Sequence, residues 1–400
     1  MDSLLVHYLL RARYLKSRCK VTVHQQSSQK EFSCRRYVIS QGRCTTKRGK
    51  GYLNMDKLPA VGLLTPLDLS TVDAVPESHV WPHLDESSQK FESDKTVSIP
   101  VVDFNDDNVL ELIGKACEEW GMFQLINHGI PKTLTAETEE VARCLFALPK
   151  SQKMKALNVP GTANGYCMAR LTKHHDKMMW HEGFTVIGSP VDDFKKLWPS
   201  DYQPFCDKME EYQLKMKALA DKLISLIFKF LGISDEDMVK KLSYIDPATG
   251  KPHLALRLNS FPPCPEPSKV IGLAAHTDTS LFTMLHQARR EGLQILNEKD
   301  GWLPLAPRSD ALIINVGDFL QIISNGRFHS VPHRVMIRET EKTTMSMAYF
   351  FHPPGHLHVA PYCKPLSETL QTPIYKGVNV KEYFVIKAKA SGKGIAALTI

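Results

Sequence analysis

Hydrophobic and polar positions alternate with two different periods along this chain, and the dominant period changes near residue 253. Residues 96–104 (TVSIPVVDF) are rich in β-branched side chains and predict a strand. In residues 106–121, apolar side chains recur at every third or fourth position, which predicts a helix that ends at Gly121. The run MFQLINHGI, residues 122–130, then predicts a second short strand.

The middle of the chain has helical periodicity. Residues 131–158 have a mixed helical pattern, and residues 204–232 carry a broad apolar stripe that ends at Gly232. We interpret the second segment as a long scaffold helix that supports the core.

After residue 253, short apolar runs separated by turn residues replace the helical pattern. The runs are HLALRLNSF, LFTMLHQ, GLQILN, DALIINVGD, LQIIS, SVPHRVMI and TTMSMAYFF. Several strands at such close spacing are typical of a β-sandwich or barrel. The sequence therefore predicts an α+β protein in which helices come first and a β-core carries the functional site.

Composition and charge exclude several classes of protein. The chain is 43% hydrophobic and has no run of eighteen apolar residues, so we expect a globular protein without a membrane span. The net charge is +7, but the first 50 residues carry +10, which leaves −3 for the rest. The mildly acidic body does not support a nucleic-acid partner.

The nine cysteines are scattered and form no C-x-x-C pair, so neither a disulfide framework nor a zinc ribbon is indicated. A reducing compartment, the cytoplasm, is the natural expectation. Residues 1–54 form a basic extension whose Arg-rich, acid-poor composition resembles an organellar targeting peptide. A disordered extension is the alternative, and Met55 opens a stretch that resembles a natural start.

The candidate for chemistry is the H-x-D triplet in GLAAHTDTS, with His276 and Asp278. Residues two apart at the end of a strand point to the same side, and two histidines with one carboxylate form the facial triad of non-haem iron enzymes. We expect His333, in HSVPHRVMI, to supply the third ligand. His329 competes with it but ends a glycine-containing turn. Alone, H-x-D is common by chance, and the alternative is a turn aspartate beside a solvated histidine.

The order of the surrounding motifs adds to this hypothesis. The motifs NSFPPCPEP, GLAAHTD, GLQIL, DGW, INVGDFLQIISNGRFHSVPHRV and SMAYFFHPP together resemble the plant Fe(II)- and 2-oxoglutarate-dependent dioxygenases over residues 74–388. Within that family, VPESHVWP, MWHEGFTVIGSP and FKKLWP are similar to the gibberellin 3-beta-dioxygenases.

The resemblance implies a double-stranded β-helix, or jelly roll, with Fe(II) held by His276, Asp278 and His333. It also implies 2-oxoglutarate as cosubstrate, dioxygen and ascorbate, and hydroxylation of a gibberellin precursor with release of succinate and carbon dioxide. The partner would be a small-molecule diterpenoid, and we expect a monomer that binds neither nucleic acid nor a membrane.

The same resemblance divides the chain into four segments. Residues 55–245 would form an N-terminal dioxygenase domain, residues 246–360 the jelly-roll domain and residues 361–400 a C-terminal segment, all after the basic extension.

The sequence departs from the family at the 2-oxoglutarate carboxylate. The family's Arg-x-Ser and Asn-x-Tyr segments match Thr344–Met345–Ser346 and Asn259–Ser260–Phe261. Asn259 and Ser346 are kept for the cosubstrate, whereas threonine and phenylalanine replace the arginine and the tyrosine. Lys342, one pleat period before Thr344, is the candidate for a substitute cation.

Substrate contacts are predicted in GYCMARLTKHHDKMMWHEGF, where Tyr166, Arg170, Lys173 and His174 could meet a gibberellin carboxylate. The alternative is a solvated loop face. Two other functions stay open: a paralogue that binds metal or a small molecule without turnover, and an oxidase or lyase that uses a different cosubstrate.

Overall fold

The computed structural model combines α-helices with β-sheets. The structure describes residues 67–82, 84, 96–158, 163–168, 177–234, 254–287, 292–306, 308–338, 342–363, 372–390 and 392–400. The α-helices are α1 (Val109–Glu119), α2 (Lys132–Phe146), α3 (Lys150–Lys153), α4 (Val191–Leu197), α5 (Gln203–Phe230), α6 (Asp318–Ile323) and α7 (Val380–Lys389).

The strands form two main sheets. They are β1 (Val101–Asp103), β2 (Met122–Ile126), β3 (Gly165–Met168), β4 (Glu182–Ile187), β5 (Leu254–Phe261), β6 (Ile271–His276), β7 (Phe282–Gln287), β8 (Leu293–Asn297), β9 (Gly301–Pro304), β10 (Leu312–Val316), β11 (His333–Met336), β12 (Thr344–Phe351), β13 (His358–Val359) and β14 (Val378–Asn379). One sheet has the order β1-β2-β10-β7-β12-β5-β4-β3, and the other has the order β6-β11-β8-β9. The predicted α+β class and jelly-roll core are confirmed.

The long scaffold helix is confirmed as α5. Proline in its first turn suits a position where a backbone N–H has no helical partner. The helix ends just before Gly232, whose φ of +69° is the left-handed conformation that glycine adopts without a Cβ clash. Its apolar stripe, which includes Met216 and Leu223, is buried in the main core.

The two faces of the larger sheet have different neighbours. Leu256 and Leu258 of β5 and Met347 of β12 belong to the same core as α5, so we call this the outer face. Strand alternation places Asn259 and Phe261 on the opposite, inner face. Phe261 clusters there with apolar residues around the second sheet, which puts the inner face inside the jelly roll.

Two strand predictions differ from the structure. The strand predicted over 96–104 is reduced to β1, because Pro100 has no N–H to donate and only an isolated bridge at Val97 precedes it. The run LQIIS is not a strand but lies in α6, which begins after Gly317. A five-residue apolar run has no period that separates a strand from a buried helical turn.

The predicted basic extension 1–54 and the predicted boundary at residue 245 lie outside the described residues. The boundary at residue 360 stays a prediction. Among the helices that the structure describes, none combines the length and apolarity needed to cross a membrane.

Candidate metal centre and cosubstrate site

Two strand ends of the smaller sheet bring the predicted metal ligands together. His276 is the last residue of β6 and His333 is the first residue of β11, and these two residues are antiparallel partners. Asp278 follows β6 by two residues. The antiparallel register therefore joins positions that are more than fifty residues apart in sequence.

The three side chains converge on one small volume. Asp278 Oδ1 lies 3.7 Å from His276 Nε2 and 3.8 Å from His333 Nε2. The candidate ligand atoms all lie within 4.8 Å of one another. His333 and Asp278 are buried, whereas the His276 side chain is 32% exposed. Such a group, open on one side, has the form of a facial triad.

Hydrogen bonds to the backbone determine which ring nitrogens face this volume. His276 Nδ1 lies 2.8 Å from the Ala274 carbonyl oxygen, and His333 Nδ1 lies 3.1 Å from the Val331 carbonyl oxygen. A carbonyl only accepts, so each Nδ1 carries the proton and each Nε2 presents a lone pair. This arrangement orients histidine for a metal ion.

The electrostatics also suit a cation. Burial raises the pKa of the Asp278 carboxyl, but the neighbouring His333 and His276 and a hydrogen bond from Thr283 outweigh it, so its pKa lies below its usual value. Partial burial and the adjacent His333 lower the pKa of His276 to about 4. Near neutral pH, Asp278 is thus ionised and His276 neutral, as metal ligands must be.

The fit to a metal ion rests on Asp278 Oδ2. Within the described part of the chain, this buried oxygen has no hydrogen-bond partner. Leaving a buried carboxylate oxygen unsatisfied costs free energy, which a bound cation would recover. The triad therefore fits a divalent metal ion, with two nitrogen ligands and one oxygen ligand.

Helix α7 supports the loop between the two ligands of the triplet. Lys387 Nζ donates to the Thr277 carbonyl oxygen at 2.8 Å and lies 2.5 Å from Asp318 Oδ2. The Tyr383 hydroxyl donates to the same Asp318 oxygen at 2.8 Å, and the Asp318 N–H donates to the Asp278 carbonyl oxygen at 2.8 Å. Sequence reasoning missed this support, because Lys387 follows Thr277 by 110 residues.

The residues predicted for the cosubstrate meet on the inner face. Asn259 and Ser346 are directly opposite each other across β5 and β12, and Asn259 Nδ2 donates to Ser346 Oγ at 3.3 Å. The next pair on this face consists of Thr344 and Phe261, the two departures from the family. The two residues that depart from the family are therefore neighbours on one face of the sheet. Phe261 packs there in a cluster with Ile337.

Lys342 has no place in this group of residues. It is exposed and precedes β12, which begins at Thr344, so the strand alternation that suggested it does not extend to it. A cation that binds a buried carboxylate is expected to be withdrawn from water. The structure thus gives no support for Lys342 as the substitute cation.

A cation on the inner face was missed instead. Arg257 precedes Asn259 by two residues and donates from Nε to Asn259 Oδ1 at 3.0 Å. The signal was present in HLALRLNSF, because arginine and asparagine two apart on a strand share a face.

The other predicted residues have different outcomes. Tyr166 is not on the inner face. It pairs with Phe184 across β3 and β4, and its side chain is 1% exposed in the main core. The reason is that residue 166 is one of the β3 positions that point to the outer face. Arg170, Lys173 and His174 lie outside the described residues. His329 is exposed and belongs to no metal-ligating group among the described residues.

Comparisons with known proteins agree with this geometry. A family model described as the 2OG-Fe(II) oxygenase superfamily matches residues 252–353, and one described as the non-haem dioxygenase in morphine synthesis N-terminal matches residues 99–201. The first match includes all three residues of the triad.

Curated relatives cover most of the chain. A gibberellin 3-beta-dioxygenase 1 of Pisum sativum is 40% identical over 337 residues, which are 83% of this chain and 89% of that protein. A gibberellin 3-beta-dioxygenase 1 of Arabidopsis thaliana is 36% identical over 83% of this chain and 92% of that protein.

Solved structures share the fold. A crystal structure of JOX2 in complex with 2OG, Fe and JA has a TM-score of 0.68 and 26% identity, over 83% of this chain and 95% of that chain. The rice dioxygenase for auxin oxidation has a TM-score of 0.62 and 23% identity, over 76% of this chain and all of that chain. On the matched domains and curated relatives, this chain is a 2-oxoglutarate-dependent dioxygenase of the 2OG-Fe(II) oxygenase superfamily, in the family that contains the gibberellin 3-beta-dioxygenases.

Proposed function

We propose that this dioxygenase hydroxylates a carboxylated gibberellin precursor, with Fe(II) held by His276, Asp278 and His333. The observation that carries the proposal is the convergence of two histidine Nε2 atoms on the Asp278 carboxylate, whose Oδ2 has no hydrogen-bond partner among the described residues. The substrate class comes from the relatives, which are named gibberellin 3-beta-dioxygenases.

The side chains of this site have separable tasks. The triad would hold the metal from one side, and the exposed edge of His276 leaves an approach for small molecules. The buried apolar cluster around Phe261 keeps water from part of the inner face. Asn259 and Ser346, already hydrogen-bonded to each other, would orient the cosubstrate. When bound, Fe(II) and 2-oxoglutarate supply oxidation by dioxygen of an unactivated carbon, coupled to formation of succinate and carbon dioxide.

Turnover of purified full-length protein tests the proposal. Fe(II), ascorbate, 2-oxoglutarate and a 3-deoxygibberellin are supplied, and product, succinate and carbon dioxide are quantified by mass spectrometry and radiolabel release. We expect a hydroxylated gibberellin and succinate in equal amounts. Absent product, with tight metal binding in the same preparation, would contradict the proposal.

A second candidate function is a metal- or ligand-binding protein that has lost or exchanged its cosubstrate. The observation in its favour is the Thr344 and Phe261 pair, which removes a cation and a hydroxyl donor from one patch. Under this alternative, the gibberellin acid binds without succinate release at any 2-oxoglutarate concentration. The same turnover assay, combined with calorimetric binding, separates the two functions.

A further inference from the structure

Arg257 lies on the inner face, two residues before Asn259 on β5. Phe261, which replaces the family tyrosine, lies two residues after Asn259. All three side chains therefore share one face. The partners of Arg257 across the sheet are Thr185 of β4 and Ala348 of β12. The guanidinium thus lies beside Asn259 and opposite small side chains.

Among the described residues, the hydrogen bonds of this guanidinium go to an amide oxygen, a hydroxyl and a thiol. Nε donates to Asn259 Oδ1 at 3.0 Å, and Nη1 donates to Thr185 Oγ1 at 3.0 Å and to Cys167 Sγ at 2.6 Å. Of its five N–H donors, the two on Nη2 have no hydrogen-bond partner among the residues that the structure describes. Across the part of the chain that the structure describes, no carboxylate forms an ion pair with Arg257.

A half-buried cation without a counter-ion is costly. Burial removes hydration from the charge, and neutral acceptors recover only part of the loss. An anion that enters the inner face would recover more, since hydrogen bonds between guanidinium and carboxylate are charge-assisted. The side chain is only partly buried, so such an anion has access to it.

The neighbouring strand is shaped for this side chain. Gly183 of β4 pairs with Asn259, and a Cβ at residue 183 would overlap the Arg257 guanidinium. Glycine inside a strand is unfavourable for the strand itself and often marks a close approach by another group. Here the approaching group is the Arg257 guanidinium, which can occupy its position only because residue 183 has no Cβ.

We propose that Arg257 binds a ligand carboxylate inside the jelly roll. This inference deepens the proposed function, on which it rests for the identity of the two acids: the distal carboxylate of 2-oxoglutarate and the carboxylate of the gibberellin precursor. Both present the same chemistry to the guanidinium, and the test distinguishes them. Asn259 would position the arginine through its Oδ1 while its Nδ2 bonds Ser346.

Calorimetric binding to the full-length protein, loaded with Mn(II) in place of Fe(II), tests this inference without turnover. The probes are 2-oxoglutarate, a 3-deoxygibberellin and the methyl ester of that gibberellin. The variants are Arg257→Met, Arg257→Lys and Gly183→Ala. Arg308→Met is the matched control, because Arg308 is an exposed arginine paired with Asp310. Circular dichroism and thermal melting check that each variant is folded.

We expect Arg257→Met to weaken binding of one acid about tenfold or more, because a charge-assisted hydrogen bond is lost. The affinity of Arg257→Lys for that acid should lie between those of Arg257→Met and the wild type, since lysine keeps the charge but lacks the planar guanidinium. Gly183→Ala should weaken the same acid by displacing the guanidinium, and Arg308→Met should change nothing. A loss confined to 2-oxoglutarate identifies the cosubstrate, whereas a loss for the gibberellin acid but not for its ester identifies the substrate.

Unchanged binding of both acids by folded Arg257→Met and Gly183→Ala would overturn the inference, as would a wild type that binds neither acid. Failure of the proposed function is distinguishable from both results. In that case, the wild type produces no hydroxylated gibberellin, yet an acid still binds in a manner that depends on Arg257.

Discussion

The metal side and the carboxylate side of this site differ in how closely they follow their family. On the metal side, His276, Asp278 and His333 match the family motif, and backbone carbonyls orient the two histidine rings. On the carboxylate side, the facing pair Thr344 and Phe261 replaces two ligand-binding residues at once.

The difference shows that the two halves are physically separable. The metal side consists of strand ends in the smaller sheet, and the carboxylate side consists of the end of β5 and the start of β12 in the larger sheet. The pairing of β6 with β11 that joins the metal ligands does not involve β5 or β12. Cosubstrate recognition can therefore change while the metal geometry stays the same.

The largest expected effect is at the proposed metal ligands. Asp278→Asn keeps the size of the side chain but removes the only carboxylate of the triad. We expect the affinity for Mn(II) or Fe(II) to fall more than about 100-fold, which exceeds the loss typical when a residue that hydrogen-bonds to a metal ligand is replaced. Calorimetry with each metal measures the change. The control is His329→Ala, at the competing position, which should bind metal as the wild type does. Equal losses in both variants would contradict the assignment of ligands.

The support of the metal side from α7 should also have a large effect. Lys387→Met leaves Asp318, whose side chain is fully buried, without its cation. We expect the free energy of unfolding to fall by about 3–5 kcal/mol, the usual result of breaking a buried ion pair from one side. Urea denaturation measures this loss.

The exposed Lys389→Met on the same helix is the matched control and should be neutral. The double variant Lys387→Met/Asp318→Asn should lose less than Lys387→Met alone, since no uncompensated charge remains. A loss under about 1 kcal/mol for Lys387→Met would show that this ion pair does not stabilise the fold.

The carboxylate side can be returned to the family pattern. Thr344→Arg combined with Phe261→Tyr restores a cation and a hydroxyl donor on facing strands, and a charge-assisted hydrogen bond is worth about 1.5–3 kcal/mol. We expect 2-oxoglutarate to bind about tenfold tighter or more, as measured by calorimetry with Mn(II). Thr343→Arg is the control, because Thr343 lines a cavity on the outer side with Lys153. Unchanged affinity in the double variant would show that the cosubstrate carboxylate binds elsewhere on the inner face.

A more gradual effect is a dependence of stability on pH near the site. Burial, together with the charge of Arg257, lowers the pKa of His181 from 6.5 to about 3. Because the folded state disfavours the charged ring, this contribution to stability is complete above pH 6.5 and is lost as pH falls toward 3. Between pH 7 and pH 5, we expect a loss of about 2 kcal/mol from this histidine, at about 1.4 kcal/mol for each pH unit below 6.5.

Urea unfolding of metal-free protein at the two pH values measures this loss, with His181→Asn compared with the wild type at each pH. The variant should show a shallower pH dependence. An identical dependence in both proteins would place the titrating group elsewhere.

Local patterns predicted much of the fold. The helical stripe of α5 and most strands of the second half follow from side-chain period, since burial on one face imposes that period directly on the sequence. The failures were local too. LQIIS is too short to distinguish a strand from a helical turn. Tyr166 is a suitable donor for a carboxylate by residue type, but the alternation in GYCM is too short to show that it faces the main core.

The sequence by itself determined the candidate triad, the family and the two departures at residues 261 and 344. Each of these depends only on residue types and on the order of short motifs along the chain, which the sequence shows directly. Only the tertiary structure decided that the two departures face each other, that Arg257 projects beside Asn259, and that Lys387 supports the metal loop from 110 residues away. These relations depend on strand register and on helix docking. Both are selected by burial of the whole core rather than by any local stretch of sequence.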